Sequence, residues 1–105
     1  GVLEAAEKAC HTVDECVGKI ADACIKNNII MLLTADHGNS EVMVNPDTGK
    51  PQTAHTTNKV PFTLINAPKD MQLKDDGALC NVAPTILQLM GIKKPAEMDC
   101  ESLIK

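Results

Sequence analysis

A short, continuously apolar run, IIMLL at residues 29–33, constrains the fold of this chain more than any other feature. The run is too short for a helix and is bounded by polar residues, which is typical of a strand buried on both faces. Before it, residues 3 to about 26 carry apolar side chains at alternating steps of three and four positions, a pattern that predicts one long amphipathic helix. A helix followed by a buried strand favours an α/β layered structure.

The long helix is expected to end at Asn27 and Asn28 and to lie on a sheet through its apolar stripe. A coiled-coil seam is the alternative, which alanine and cysteine at the seam positions disfavour. Five cysteines without a CxxC spacing argue against a disulfide scaffold or a zinc ribbon, so we expect reduced, buried thiols. The stripe consists of Leu3, Ala6, Cys10, Val13, Val17, Ile20 and Cys24.

Two further segments complete the expected sheet. Residues 41–53 hold the turn sequence NPDTGK between two short segments, which predicts a hairpin that leaves the sheet and returns to it. Residues 60–67, VPFTLINA, read as a second apolar strand, in which a proline is tolerated only near the start or at an edge.

A second helix is predicted at residues 81–91, NVAPTILQLMG, because both of its ends carry recognisable signals. Asn81 is the expected N-cap, Pro84 falls in the first turn, and Gly91 is the expected stop. The tail beyond this helix is expected to be a loop with a short apolar anchor, Leu103 and Ile104.

Size and composition limit the class of protein. At 105 residues the chain is one domain at most, and it has no apolar run near the roughly 20 residues of a membrane helix. No secretory leader is present at its start, and the reduced thiols suggest a cytoplasmic protein. All ten basic residues are lysines and the net charge is −4, which disfavours nucleic acid as a partner.

The residues after the buried strand, TADHGNSEVM at 34–43, place a carboxylate and an imidazole side by side. Asp36 and His37 could act together only beyond the strand, where Gly38 permits a turn that includes positive φ. If the hairpin folds back on itself, His55 returns opposite Glu41 and close to His37. One carboxylate and two imidazoles suit Mn²⁺ or Zn²⁺, whereas a polar turn without any metal remains the alternative.

Two other candidates are weaker. His11 lies among charged neighbours in the long helix and is expected to be a solvated side chain. Ser40 follows the DHG sequence but lacks the Gly-x-Ser-x-Gly elbow of a nucleophilic serine, so we expect it to start the hairpin.

Three stretches in order, TADHGNSEVM, PDTGKPQTAHTTNKVPFTLIN and NVAPTILQLMGIKKPAEM, resemble the C-terminal part of the cofactor-independent phosphoglycerate mutases. These metalloenzymes of the alkaline-phosphatase superfamily interconvert 3-phosphoglycerate and 2-phosphoglycerate through a phosphoserine, without 2,3-bisphosphoglycerate. The resemblance implies two divalent ions, expected to be Mn²⁺ with Zn²⁺, Co²⁺ or Mg²⁺ as alternatives. It assigns Asp36 and His37 to the ion beside the nucleophilic serine and His55 to the other ion.

The same resemblance implies that other parts of the site lie upstream. The nucleophilic serine, the remaining metal ligands and the groups that bind the phosphoglycerate substrate are expected outside this chain, which explains the missing arginines. Gly1 would match the last glycine of a Gly-His-Thr-Gly motif, and an acid is frequent in the family where Asn81 stands. Near Cys100 the family usually has a glycine.

We therefore expect one partial domain at residues 1–105, the C-terminal portion of an alkaline-phosphatase-like, doubly wound α/β sheet. Its order would be helix, strand, hairpin, strand, helix. The piece alone should lack mutase activity, bind metal weakly and self-associate, whereas the intact enzyme should be a monomer. Phosphopentomutases, metal-dependent hydrolases of the same superfamily and a non-catalytic module with this fold are the alternatives.

Overall fold

The computed structural model describes residues 2–105, so the expectation for Gly1 lies outside the described residues. The chain divides into two compact units, one ending at Ala67 and the other spanning Pro68–Lys105. The first unit contains the long helix and both strands, and the second contains the short helix and the C-terminal tail.

Helix α1 spans Leu3–Lys26, as the apolar periodicity predicts. Its end is a Schellman motif, in which Ile29 N–H donates to the carbonyl of Cys24 at 2.8 Å. The residue that turns the chain is Asn28, with φ of 62°. Asparagine tolerates this left-handed conformation better than most residues, so the predicted stop at the paired asparagines is confirmed.

Strands β1, Met31–Thr34, and β2, Phe62–Ile65, form a two-stranded antiparallel sheet. Met31 pairs with Ile65 and Thr34 with Phe62. An α/β structure with both predicted strands is therefore present, but a doubly wound sheet is not confirmed. A hairpin brings its second strand back antiparallel, whereas parallel neighbours need a crossover connection of a dozen or more residues.

The segment between β1 and β2 extends the antiparallel hairpin beyond the two strands. Val44 and Pro51 form an antiparallel bridge near its tip, where Asn45 Oδ1 accepts hydrogen bonds from the backbone N–H groups of Asp47 and Thr48. Gly49, with φ of 68°, completes the turn. The hairpin predicted from the NPDTGK sequence is thus confirmed.

The second unit is built around helix α2, Val82–Leu89, which follows a 3₁₀ turn at Leu79–Asn81. Asn81 occupies the N-cap position but its side chain does not cap the helix. It accepts a bond from Ala78 N–H and donates one to the carbonyl of Glu101. The helix ends in a Schellman motif at Gly91, whose φ of 71° fits the predicted stop.

The predicted C-terminal anchor is confirmed in this second unit. Leu103 is buried and Ile104 bridges to Leu73. The hydroxyl of Thr85, a fully buried residue on α2, accepts a bond from Leu103 N–H at 2.9 Å and donates one to the carbonyl of Asn81 at 2.7 Å. A backbone donor and acceptor are thereby joined through one buried hydroxyl.

Burial on α1 differs from the expectation, because no residue of this helix is buried. The stripe residues Leu3, Val13 and Ile20 are each more than half exposed, whereas Val17 and Cys24 of the same stripe are half-buried. The packing of α1 on a sheet therefore stays a prediction.

The expectation of buried cysteines is wrong as well. All five cysteines are free thiols; Cys24 and Cys100 are half-buried and the others are exposed. A hydrogen bond with Cys80 and, to a smaller extent, desolvation raise the pKa of Cys100 to about 11, so this thiol stays protonated at neutral pH.

Candidate metal centre

The DHG sequence lies just beyond the end of β1, as its position after the apolar run predicts. Asp36 is well exposed, with 78% of its side-chain surface accessible, whereas His37 is half-buried, with 37% accessible. The carboxylate Oδ1 of Asp36 and the ring Nε2 of His37 are 3.4 Å apart. The two side chains therefore face the same point, which alternating strand residues could not do.

The tautomer of His37 follows from its other ring nitrogen. Nδ1 lies 3.0 Å from the carbonyl oxygen of Gly38, which can only accept, so Nδ1 carries the proton. Neutral His37 then presents a lone pair at Nε2 towards the Asp36 carboxylate. Asp36 Oδ1 and His37 Nε2 both carry lone pairs, so their close approach is favourable only with a cation between them or a proton on Nε2. The hydrogen bond from Nδ1 to a backbone carbonyl is common among histidines that bind a metal through the other nitrogen.

His55 reaches this point through the register of the hairpin. Gly38 and Thr56 form an antiparallel bridge, in which Thr56 N–H donates to the Gly38 carbonyl at 2.9 Å. His37 and His55 each lie one step from the bridge and are diagonal neighbours on the opposite face of the hairpin, within reach of ring side chains. Their ring centroids are 3.7 Å apart at an interplanar angle of 30°.

The return of His55 to His37 is therefore confirmed, with a shift of register. The bridge places His55 opposite Asn39 rather than opposite Glu41. The Asn39 side-chain amide lies 3.4 Å from Nδ1 of His55, so this contact occupies Nδ1 and not Nε2 of the ring.

Four polar groups that the sequence did not single out meet on the other side of the bridge, and we call them the Glu41 clamp. The Glu41 carboxylate accepts hydrogen bonds from the Thr56 hydroxyl, the Asn58 side-chain amide at 3.3 Å and the Asn39 backbone N–H at 2.8 Å. One signal for the clamp was available, since the predicted hairpin already placed Glu41 near the returning segment.

The hydrogen bond from Thr56, together with backbone N–H donors and Asn58, lowers the pKa of Glu41 to about 2. A carboxyl group with a depressed folded-state pKa stabilises the structure above its ordinary pKa. That contribution is lost as the pH falls from about 4.5 towards 2. At neutral pH the Glu41 carboxylate of the clamp is therefore ionised.

Gly38 is required here by space and not by a special backbone angle. It is buried, its φ is not positive, and a Cβ at this position would collide with Glu41 Oε1 and Thr56 Oγ1. Gly38 therefore does not use the positive φ that glycine permits, and the chain continues into the bridge with Thr56.

The weaker candidates lie apart from this constellation. His11 forms an exposed ion pair with Glu15 on α1, with Nε2 and Oε1 3.0 Å apart. Ser40 is exposed within the hairpin. Neither observation gives these side chains a chemical role.

The three predicted ligands are of the chemical types that bind a divalent ion, but they are too few and too dispersed to form a complete site. Two ligands held tetrahedrally about 2.1 Å from one ion lie about 3.4 Å apart, which matches Asp36 and His37. Across residues 2–105, however, no three side chains of the ligating types gather closely enough to hold an ion by themselves. This donor set can therefore supply part of a metal centre.

Comparison with known proteins agrees with the resemblance found in the sequence. The family described as Metalloenzyme superfamily matches residues 1–94. The chain is 53% identical over 105 residues to a 2,3-bisphosphoglycerate-independent phosphoglycerate mutase of Clostridium botulinum. It is 51% identical over 106 residues to the protein of that name from Clostridium novyi and 52% identical over 106 residues to that of Flavobacterium johnsoniae.

Each of these alignments covers 99% or 100% of this chain but only 20% or 21% of the relative. The chain thus spans about a fifth of the length of the curated relatives it matches. No helix within residues 2–105 is long and apolar enough to cross a membrane. Since the family match covers most of the sequence, this chain belongs to the Metalloenzyme superfamily.

Proposed function

We propose that this chain is a C-terminal part of a metal-dependent phosphoglycerate mutase that interconverts 3-phosphoglycerate and 2-phosphoglycerate through a phosphoserine. The observation that carries the proposal is the convergence of Asp36, His37 and His55 at the bridge of the hairpin. Whole-chain similarity to proteins named as such mutases supports the same function.

Asp36 and His37 hold one divalent ion through Oδ1 and Nε2, and His55 binds a second ion. The mixed oxygen and nitrogen donors suit Mn²⁺, with Zn²⁺, Co²⁺ and Mg²⁺ as alternatives. When bound, such ions polarise phosphoryl oxygens and lower the pKa of a coordinated hydroxyl. The backbone carbonyl of Gly38 holds the tautomer of His37 that keeps Nε2 free for this role.

The rest of the centre is contributed from outside these 105 residues. This includes the nucleophilic serine, the remaining ligands of both ions and the groups that bind phosphoglycerate, because the chain has no arginine for a phosphate clamp. Residues 1–105 are one portion of a larger domain with a doubly wound sheet. The intact enzyme is a cytoplasmic monomer that needs no 2,3-bisphosphoglycerate.

The test is an assay of the full-length protein with 3-phosphoglycerate in the absence of bisphosphoglycerate. We expect activity that chelation abolishes and Mn²⁺ restores. Asp36→Ala, His37→Ala and His55→Ala should each lose most activity and part of the bound Mn²⁺, measured by elemental analysis. His11→Ala is the matched control, since His11 pairs with Glu15 on α1.

Metal-independent turnover, or full activity of the His37→Ala variant, would contradict the proposal. Turnover of a phosphopentose or of a simple phosphate monoester in place of phosphoglycerate would assign the protein to a phosphopentomutase or a hydrolase. A protein that binds no divalent ion and turns over none of these substrates would be a non-catalytic relative.

The isolated 105-residue chain should be inactive and should bind Mn²⁺ more weakly than the full-length protein, because it offers too few ligands for either ion. We also expect it to self-associate through exposed apolar surface such as the α1 stripe. Isothermal titration and analytical ultracentrifugation measure the two properties. A concentration-independent monomer would refute the second expectation.

A further inference from the structure

We propose that the Glu41 clamp is the positioning device that holds His37 and His55 against each other. This inference rests on the proposed metal-binding role of the two histidines, but the clamp itself is built from contacts that involve neither ring. Its anchor is Glu41, whose carboxylate joins two segments of the hairpin.

The first argument is the topology of these contacts. Glu41 Oε2 accepts from Asn39 N–H on its own segment, and Oε1 accepts from the Thr56 and Asn58 side chains on the returning segment. The clamp thus ties the two segments together on one face of the Gly38–Thr56 bridge. The histidine rings lie on the other face, so any slip of the segments would separate them.

The second argument is the fit around Gly38. The Glu41 carboxylate and the Thr56 hydroxyl occupy the space that a Cβ of residue 38 would fill. The glycine between His37 and Asn39 therefore lets the clamp close directly over the backbone. This gives the DHG sequence a role for its third residue that is separate from metal ligation.

The third argument is the link from the clamp to His55. Asn39 donates its backbone N–H to Glu41 and places its side-chain amide 3.4 Å from Nδ1 of His55. Outer groups that orient a ligating histidine typically change metal affinity by about 10- to 100-fold when removed. Glu41 and Thr56 act through other residues and are positioning residues, not ligands.

The first measurement uses the metal-free, full-length protein. Diethyl pyrocarbonate modifies neutral histidine, and peptide mass spectrometry gives the rate at each position. In Glu41→Gln and Thr56→Val we expect His37 and His55 to react several-fold faster than in the unsubstituted protein. The rate at His11, which lies on α1, is the internal reference and should not change.

The second measurement is Mn²⁺ affinity and the electron paramagnetic resonance spectrum of the bound ions. We expect about tenfold weaker binding in the two clamp variants and in Gly38→Ala. Thr56→Ser keeps the hydroxyl and should restore both the affinity and the spectrum. Asp47→Asn removes a carboxylate from the tip of the same hairpin and is the matched control.

Unchanged histidine reactivity in Glu41→Gln and Thr56→Val overturns the clamp. Unchanged Mn²⁺ binding in both variants overturns its role towards the metal. If the reactivities change as expected but the unsubstituted protein binds no Mn²⁺, the clamp stands as a device that pairs the rings, and the proposed function fails. The two hypotheses therefore fail in different experiments.

Discussion

Within residues 2–105 there are two α-helices, and the longer one buries fewer residues than the shorter one. Helix α1 has 24 residues and none of them is buried, whereas α2 has eight residues and buries Pro84 and Thr85. Both carry apolar side chains at helical spacing and both end in Schellman motifs. The difference shows that periodicity determines where a helix forms, while its neighbours determine what it buries.

The neighbour of α2 is the C-terminal tail, and its loss should have the largest effect on stability. Leu103→Ala should lower the free energy of unfolding by about 2 to 5 kcal/mol, because Leu103 is buried and its truncation leaves a cavity. Urea denaturation measures the change. Ile92→Ala is the control, since Ile92 is half exposed and should cost little. Equal effects of the two variants would mean that the tail does not anchor the unit.

The buried hydroxyl on α2 should have the next largest effect. Thr85→Val preserves the volume but leaves the N–H of Leu103 without its acceptor, at a cost of about 1 to 3 kcal/mol. Hydrogen exchange at the Leu103 amide should accelerate accordingly. Thr85→Ser, which keeps the hydroxyl, should retain more of the protection. Equal exchange in both variants would show that packing, and not the hydrogen bond, holds the tail.

The ends of the two helices should respond in a graded way. Gly91→Ala places a side chain at φ of 71° and should cost about 1 kcal/mol. Asn28 has the same left-handed conformation at the end of α1, with φ of 62°. Glycine adopts it without steric cost, so Asn28→Gly should stabilise the chain, by a smaller amount. Thermal denaturation compares the two. A destabilising Asn28→Gly would indicate a specific contact of the asparagine.

The smallest effect is expected on the exposed stripe of α1. Ile20→Ala should change the free energy of unfolding of the 105-residue chain by less than about 0.5 kcal/mol at dilutions where the chain is monomeric, because Ile20 is 53% exposed. The same substitution in the full-length protein should cost more if another part of that protein covers the stripe. A large cost in the dilute monomer would contradict the exposed position of Ile20.

Much of the candidate site could be predicted from local sequence. The apolar run and the turn sequence NPDTGK together indicated that His55 would return to His37. The register was wrong by two positions, because short, irregular segments specify pairing weakly. The actual bridge at Gly38 and Thr56 placed the rings diagonally, and ladder geometry accounts for their contact.

Other parts of the site depended on contacts that local sequence does not encode. Glu41 and Thr56 are 15 positions apart, and each resembles an ordinary polar loop residue until the hairpin closes. The sequence indicates only that Gly38 permits a turn, whereas in the structure the Glu41 clamp occupies the space that a side chain at this position would need. Spacing alone therefore missed the residues that hold the ligands.

By itself the sequence determined the helices, the two strands, the turn of the hairpin and the family, because these depend on periodicity, on turn-forming residues and on motifs read along the chain. Only the tertiary structure decided that the strands pair antiparallel, that no residue of α1 is buried and that Glu41 closes over Gly38. The physical reason is that burial and register depend on which distant segments meet, and residues near one another in sequence do not specify that.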